Sequence, residues 1–215
     1  MMSDALVILK GLEQYQLSLT HVSHSKELNN ERLEYLGDAV LQLLISEEIY
    51  TRFPNLDEGK MTLARAALVN GTNLADIFLA LGISNEVLLS KGTANLPKER
   101  KLSIYAGVME ALIGAHYTQH GLQKTQQLVQ LIFKFDELDW SKIIEKDNKT
   151  KLQEYLQQSD MELPDFEYDF DSVSEYHNVS AFFLGKNYLA KAKLKKDAEQ
   201  NICLQLLEEV MSASQ

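Results

Sequence analysis

Apolar residues recur at spacings of three and four along most of the chain, the period of an amphipathic helix, and at spacings of two over a shorter stretch near its end, the period of a strand. The helical pattern predicts segments over 30–53, 57–70, 71–81, 102–119 and 121–135, punctuated by "RFPNLDEGK", by Asn-Gly at 70–71 and by the polar run "SKGTANLPKERK". Beyond the charged stretch "DELDWSKIIEKDNKT" the order changes. A helix in "KTKLQEYLQQSD" precedes Pro164, the alternating aromatic segments "FEYDF" and "HNVSAFFLGKNYLAKAKL", and a closing helix in "KKDAEQNICLQLLEEVM". The predicted architecture is an all-α domain over about 1–140 followed by a small α+β domain, in the order α-β-β-β-α, over about 149–215.

The first predicted helix carries a conflict. In "NERLEYLGDAVLQLL" the carboxylates Glu31, Glu34 and Asp38 form a stripe beside the apolar stripe Leu33, Leu36, Val40, Leu43 and Leu44. Acidic side chains three, four and seven residues apart share a helix face, where they repel one another unless a cation compensates, and hard oxygen ligands of this kind suit Mg²⁺ or Mn²⁺. The same spacing describes an ordinary solvated acidic face, and periodicity does not choose between the two.

Composition narrows the classes. With 215 residues and 45% hydrophobic content the chain can bury one good core or two modest ones. No run approaches the roughly 20 apolar residues of a membrane span, and "MMSDALVILKGLEQYQ" lacks the basic and apolar regions of a secretion signal, so no membrane partner and a cytoplasmic location are expected. The single cysteine, Cys203, excludes an intramolecular disulfide and sits in a helical pattern as a small core residue. His21 and His24 lie in "LTHVSHS", His116, His120 and His177 show no metal-ligand spacing, and structural or surface roles are expected for all five. A net charge of −10 argues against indiscriminate nucleic-acid binding while leaving room for a local basic strip.

The literal string "NNERLEYLGDAVLQLL" resembles the signature of the ribonuclease III family. The resemblance extends through "LTHVSHS" at 19–25, "RFPNLDEGKMTLARAALVNGTNLADI" at 52–77 and "SIYAGVMEALIGAHY" at 103–117. "DNKTKLQEYLQQSDMELPDFEYDF" and "KKDAEQ" are similar to the double-stranded RNA-binding domain that follows the endonuclease domain in bacterial members. The resemblance implies an α-helical endonuclease domain that forms a homodimer. It also implies hydrolysis of both strands of double-stranded RNA with Mg²⁺, for which Mn²⁺ substitutes, in the processing of ribosomal precursor, messenger and other structured RNAs. Carried over position by position, it implies Glu34, Asp38 and Glu110 as metal ligands, with Asp38 and Glu110 catalytic, and Glu31 as an accessory acidic residue. In the second domain it implies that Lys191, Lys193, Lys195 and Lys196 grip RNA phosphates.

The chain departs from the family pattern at three places. In "YAGVMEAL", Gly107 stands where the family carries an aspartate one turn before its glutamate; this implies a lost ligand, weaker metal binding and slower cleavage, with Ser103 the nearest oxygen on that face. "LAKAKL" replaces a Gly-rich approach to the lysines, and "FDSVSEYHN" lacks the Gly-Pro-x-His pattern. Residues 149–215 also hold seven lysines against twelve acidic residues, an unusual balance for a phosphate binder. A second expectation is therefore a non-catalytic double-stranded RNA-binding or ribosome-associated protein on the same fold.

Overall fold

Three side-chain caps set where helices begin: Asp57, Asn70 and Ser90 each accept the backbone N–H three residues on, from Lys60, Asn73 and Thr93. In the computed structural model, which describes residues 2–144 and 148–213, the chain divides into two units, Met1–Ile144 and Glu145–Gln215. Residues 145–147, inside the charged stretch read as the domain boundary, lie outside the described residues.

The first unit is all-α: α1 (Met2–Lys10), α2 (Tyr15–Ser18), α3 (Glu31–Arg52), α4 (Glu58–Val69), α5 (Gly71–Ala80), α6 (Lys91–Ala94), α7 (Lys98–Phe133) and α8 (Trp140–Ile144). Helices α3, α4 and α5 match the predicted segments to within one residue at either end. The two helices predicted at 102–119 and 121–135 are one element, α7, which starts four residues earlier and breaks at Gly121, where φ is 77° and ψ 176°. Glycine takes that backbone without a Cβ clash. The Thr125 hydroxyl donates to the Gly121 carbonyl at 2.9 Å and so accepts from His116 Nδ1, also at 2.9 Å, which ties the two halves of the bent helix together. Burial pushes the His116 imidazole down to about 4.

Helices α3 and α7 form the most extensive pair, and two glycines permit it. A Cβ on Gly37 would lie 1.8 Å from the Glu110 carbonyl oxygen, and one on Gly114 would lie 2.2 Å from the Leu33 carbonyl oxygen. Bare backbone therefore meets bare backbone, and the core closes around the crossing with Leu41, Ile45 and Ile49 of α3, Met109, Leu112 and Ile113 of α7, and Leu74 and Phe78 of α5. The buried arc of α3 runs through Gly37, Leu41 and Ile45, so of the predicted apolar stripe Leu33, Val40 and Leu44 are buried while Leu43 is 54% exposed. Helix α1, which the apolar periodicity left unassigned, buries Ala5 and Leu9 in this core.

The second unit runs α9 (Asn148–Gln158), β1 (Phe166–Asp171), β2 (Tyr176–Phe183), β3 (Lys186–Ala192) and α10 (Lys195–Ala213), the expected α-β-β-β-α order. The antiparallel sheet has order β1-β2-β3, with Val179 opposite Tyr168 on one side and Ala190 on the other. Period-two alternation turns Val179, Ala181 and Phe183 inward on to Leu152 and Leu156 of α9 and Ile202, Cys203 and Leu206 of α10. Cys203 is fully buried, as its helical context predicted.

The α3–α7 crossing sets a stability test. Gly37→Ala and Gly114→Ala should each destabilise the first unit by about 3 kcal/mol, since the obstacle is backbone that cannot swing aside, even though alanine is the better helix former by about 1 kcal/mol. Gly92→Ala, which meets nothing within 4 Å, should be neutral or stabilising. Urea denaturation of the three variants checks this, and equal midpoints for all three would contradict it.

Candidate active-site cleft

Asn30 caps the start of α3 from a buried position, donating its own N–H to Thr20 O at 2.9 Å and accepting from Glu34 N at 2.9 Å through its carbonyl. Two turns later Gly37 seats α3 on the Glu110 carbonyl. That contact brings Glu34 and Asp38, which flank Gly37 on α3, to the same cleft as Glu110 of α7. The cleft, ≈ 580 Å³, is lined by His21, Val22, Asn30, Glu31, Glu34, Tyr35, Asp38 and Glu110. All four sequence-predicted carboxylates are therefore brought together. Ser103, the oxygen nearest Gly107 in the helical repeat, is exposed and stands outside the lining.

The cleft's electrostatics follow from burial and like charge. Burial, then the charges of Asp38 and Glu34, push the Glu110 carboxyl up to about 7. Glu34 is raised by the same causes, burial first and then Glu31 and Asp38. Asp38 accepts a hydrogen bond from Gln42 Nε2 at 3.0 Å. Among the described residues no lysine or arginine is ion-paired with any of the four.

Two lining residues escaped the sequence reading, which gave His21 a structural role and Asn30 none. His21 Nδ1 accepts the Ser23 backbone N–H at 3.1 Å and lies 2.8 Å from the Ser23 hydroxyl, so the neutral ring carries its proton on Nε2. Burial lowers this histidine and the Glu31 charge partly opposes it. Asn30 Oδ1 is buried with no hydrogen-bond partner among the described residues. No spacing in the sequence marks either one, because both reach the cleft from the segment that leads into α3.

Among the described residues no three His, Cys, Asp or Glu side chains are gathered into a ready-made metal set. Uncompensated carboxylates favour standing apart along a cleft wall. The chemistry of the donors nonetheless fits a hard divalent cation: oxygens only, mutually repelling, with an unpartnered buried amide oxygen at the margin. Over Gly107 the place a Cβ would take is occupied by the Glu34 carboxylate, whose Oε2 lies 2.7 Å from it.

In the second unit, Lys195 and Lys196 open α10 with Lys193 just ahead, all exposed. Lys195 Nζ lies over the Tyr168 ring, 4.2 Å from its centre. Lys191 stands apart from them. It pairs with Asn178 one residue along from the buried Val179–Ala190 pair, and therefore on the sheet face turned away from α10.

The Glu110 environment makes stability depend on pH. A carboxyl raised from 4.5 to about 7 contributes stability that is fully present below pH 4.5 and is lost as pH rises through 7. Glu110→Gln should flatten this decline in the metal-free protein. His116 acts in the opposite direction, its contribution being lost as pH falls from 6.5 towards 4, but it is common to both proteins and cancels in their difference. Thermal melts from pH 4.5 to 7.5 check this; parallel profiles for parent and variant would contradict it.

Residues 13–135, which hold the whole cleft lining, match the family described as Ribonuclease-III-like. The chain is 35% identical over 207 residues to ribonuclease 3 of Pseudomonas entomophila, covering 95% of this chain and 88% of that protein. With ribonuclease 3 of Wigglesworthia glossinidia brevipalpis it shares 36% identity over 197 residues, 88% and 86% of the two chains. Among solved structures, the nuclease domain of ribonuclease III from Campylobacter jejuni, described for structural flexibility in a region involved in dimer formation, aligns with a TM-score of 0.56 at 31% identity, covering 63% of this chain and 96% of that one. Dicer from Pichia stipitis aligns over 93% of this chain and 94% of its own with a TM-score of 0.50, and at 23% identity it shows likeness of fold alone. With more than half of its length matched to the family and its similarity continuing through the second unit, the chain belongs to the ribonuclease III family.

Proposed function

We propose that this chain is an endoribonuclease that hydrolyses double-stranded RNA in a divalent-metal-dependent reaction. Family membership supports the ribonuclease activity, and one observation carries the metal dependence. The cleft is walled by four carboxylates with no cationic partner among the described residues, so a bare RNA backbone entering it meets only like charge. Glu34, Asp38 and Glu110 would hold Mg²⁺, with Mn²⁺ able to substitute, and Glu31 at the exposed rim would add negative charge. When bound, such an ion lowers the pKa of a water and offsets charge on the phosphodiester. Asp38 and Glu110, presented from two different helices across the crossing, would hold that ion through their carboxylates. The lining residue His21 supplies a neutral N–H donor to the same space.

Cutting both strands requires two such clefts, and a homodimer supplies them. The exposed side chains of Leu43, Tyr50 and Leu122, which line a groove of ≈ 540 Å³ with Ile49 and Met61, support a partner surface on the first unit. Among the described residues no helix is long and apolar enough to cross a membrane. This fits a cytoplasmic enzyme acting on ribosomal precursor, messenger and other structured transcripts. In the second unit, Lys193, Lys195 and Lys196 meet the N-terminal end of α10, where backbone N–H groups and the helix dipole favour phosphate. Lys191, on the opposite sheet face, contributes by long-range charge only.

Gly107 favours a second reading, a double-stranded RNA-binding protein without catalysis, and one assay separates the two. Incubated with a long RNA duplex and Mg²⁺ or Mn²⁺, the parent should cut both strands, leaving 5′-phosphate ends, and Asp38→Asn or Glu110→Gln should slow cleavage by roughly 100-fold or more. Duplex binding without cleavage by the parent would leave the binding protein. Replacing Lys195 and Lys196 by alanine should weaken duplex binding whatever the sequence and reduce the slope of log affinity against log salt by up to about two. An unchanged salt series would remove these lysines from the interface.

A further inference from the structure

His116 and His120, expected from the sequence to be structural or surface residues, stand in the last helical turn of α7 before the bend at Gly121, and four residues apart they share one face of the helix. Their ring centres are 4.7 Å apart, with the planes inclined at 51°. Two imidazoles bound to one ion through nitrogens at about 2.0–2.1 Å, at a near-tetrahedral angle, have ring centres roughly 5 Å apart. The two rings therefore stand at a chelating distance. The tautomer of His116 suits the same purpose. Thr125, in the first turn beyond the bend, gives its hydroxyl proton to the Gly121 carbonyl and so takes the Nδ1 proton of His116, which leaves the lone pair of the neutral ring on Nε2. Metal-ligating histidines are fixed in this way, by a hydrogen bond from the nitrogen that does not bind the ion. Among the described residues neither Nε2 of His116 nor either nitrogen of His120 has a hydrogen-bond partner. Burial, then the charges of His120 and Lys124, keep His116 neutral at pH 7, so no proton has to leave before an ion binds.

We propose that His116 and His120 form a two-histidine site for a divalent ion of the Zn²⁺, Ni²⁺ or Cu²⁺ class, which braces α7 at its bend and is separate from the carboxylate cleft. Imidazole selects these ions over Mg²⁺ and Mn²⁺, which prefer oxygen, and histidines at i and i+4 of a helix are a common way of holding them. Neither histidine lines the cleft that holds Glu34, Asp38 and Glu110. Among the described residues no third His, Cys, Asp or Glu joins the pair, so water fills the remaining positions and the ion stays exchangeable. His116 is buried and His120 half-buried, which puts the open side of the site at His120. Lys124 is the neighbouring cation the ion must tolerate; its side chain is exposed, where solvent and salt screen it. Because His116 is tied through Thr125 to the limb beyond Gly121, an ion held by both histidines links the two limbs of the helix.

Ni²⁺ added to the untagged full chain, with excess Mg²⁺ present to occupy carboxylates, tests the proposal without any appeal to RNA cleavage. The paramagnetic ion should broaden the imidazole proton signals of His116 and His120 ahead of those of His21, His24 and His177. In calorimetry His120→Asn should lower Ni²⁺ affinity by about tenfold or more, and Thr125→Val, which removes the acceptor that fixes the His116 tautomer, should lower it by about tenfold. Ni²⁺ should also raise the melting temperature of the parent and leave that of His120→Asn in place, since an ion that binds only the folded chain stabilises it. His120 is half-buried, so its variant should fold as the parent does, and the broadening in the parent decides the matter even where the buried Thr125→Val variant fails to fold. Unchanged affinity in His120→Asn, broadening led by the other histidines, or no Ni²⁺ binding by the parent would each overturn the site.

Discussion

The approach of α3 to α7 is the constraint on which the rest of the first unit depends. Two helices whose backbones touch must both be bare at the contact, and Gly37 and Gly114 meet that condition against the Glu110 and Leu33 carbonyls. The crossing places the residues beside Gly37 next to the residue it touches. Glu34, Asp38 and Glu110 therefore share a cleft as a direct consequence of how the core closes, with Leu41, Ile45, Met109 and Leu112 sealed beneath them. Chemistry and packing occupy opposite sides of one helix pair, and a substitution that widens the crossing by a methyl group would separate the carboxylates as well as the core.

That geometry holds like charges together. The stability of a packed core is of the order of 5–15 kcal/mol, and part of it offsets the burial and the like charges that raise Glu110 to about 7. Such uncompensated groups mark a site whose ligand supplies the missing charge and hydrogen bonds. Gly107 belongs to the same economy of space, since the room it leaves is filled by the Glu34 carboxylate itself.

The second unit solves a different problem, presenting cations from a domain that is acidic in total. Its lysines are placed by topology. The sheet's alternation sends Lys191 to the outer face, while the start of α10 collects Lys193, Lys195 and Lys196 where helix dipole and charge act in one direction. Glu199, one turn into α10, accepts a salt bridge from Lys149 at 2.8 Å, and the Tyr168 ring lies under Lys195, which together orient this end of the helix against α9 and β1.

How much of this was legible in the sequence follows from the range of each interaction. Helix periods, the caps at Asp57 and Asn70, the break near Gly121 and the alternation of β2 are local, and the order of elements could be read from them together with the family resemblance. The stripe of Glu31, Glu34 and Asp38 was equally plain, but periodicity left its purpose open between a solvated face and a ligand set. Helix α1 was missed because its short pattern is stabilised by packing of Ala5 and Leu9 against other elements, and Leu43 was assigned to the wrong side because the buried arc is centred on Gly37. Sequence by itself determined the two element patterns, the acidic stripe and the bare position at 107. Only the tertiary structure decided that Asn30 and His21 line the cleft, that Lys191 faces away from the other lysines, and that Glu34 fills the space over Gly107, because each depends on distances between residues far apart in the chain that close packing alone sets.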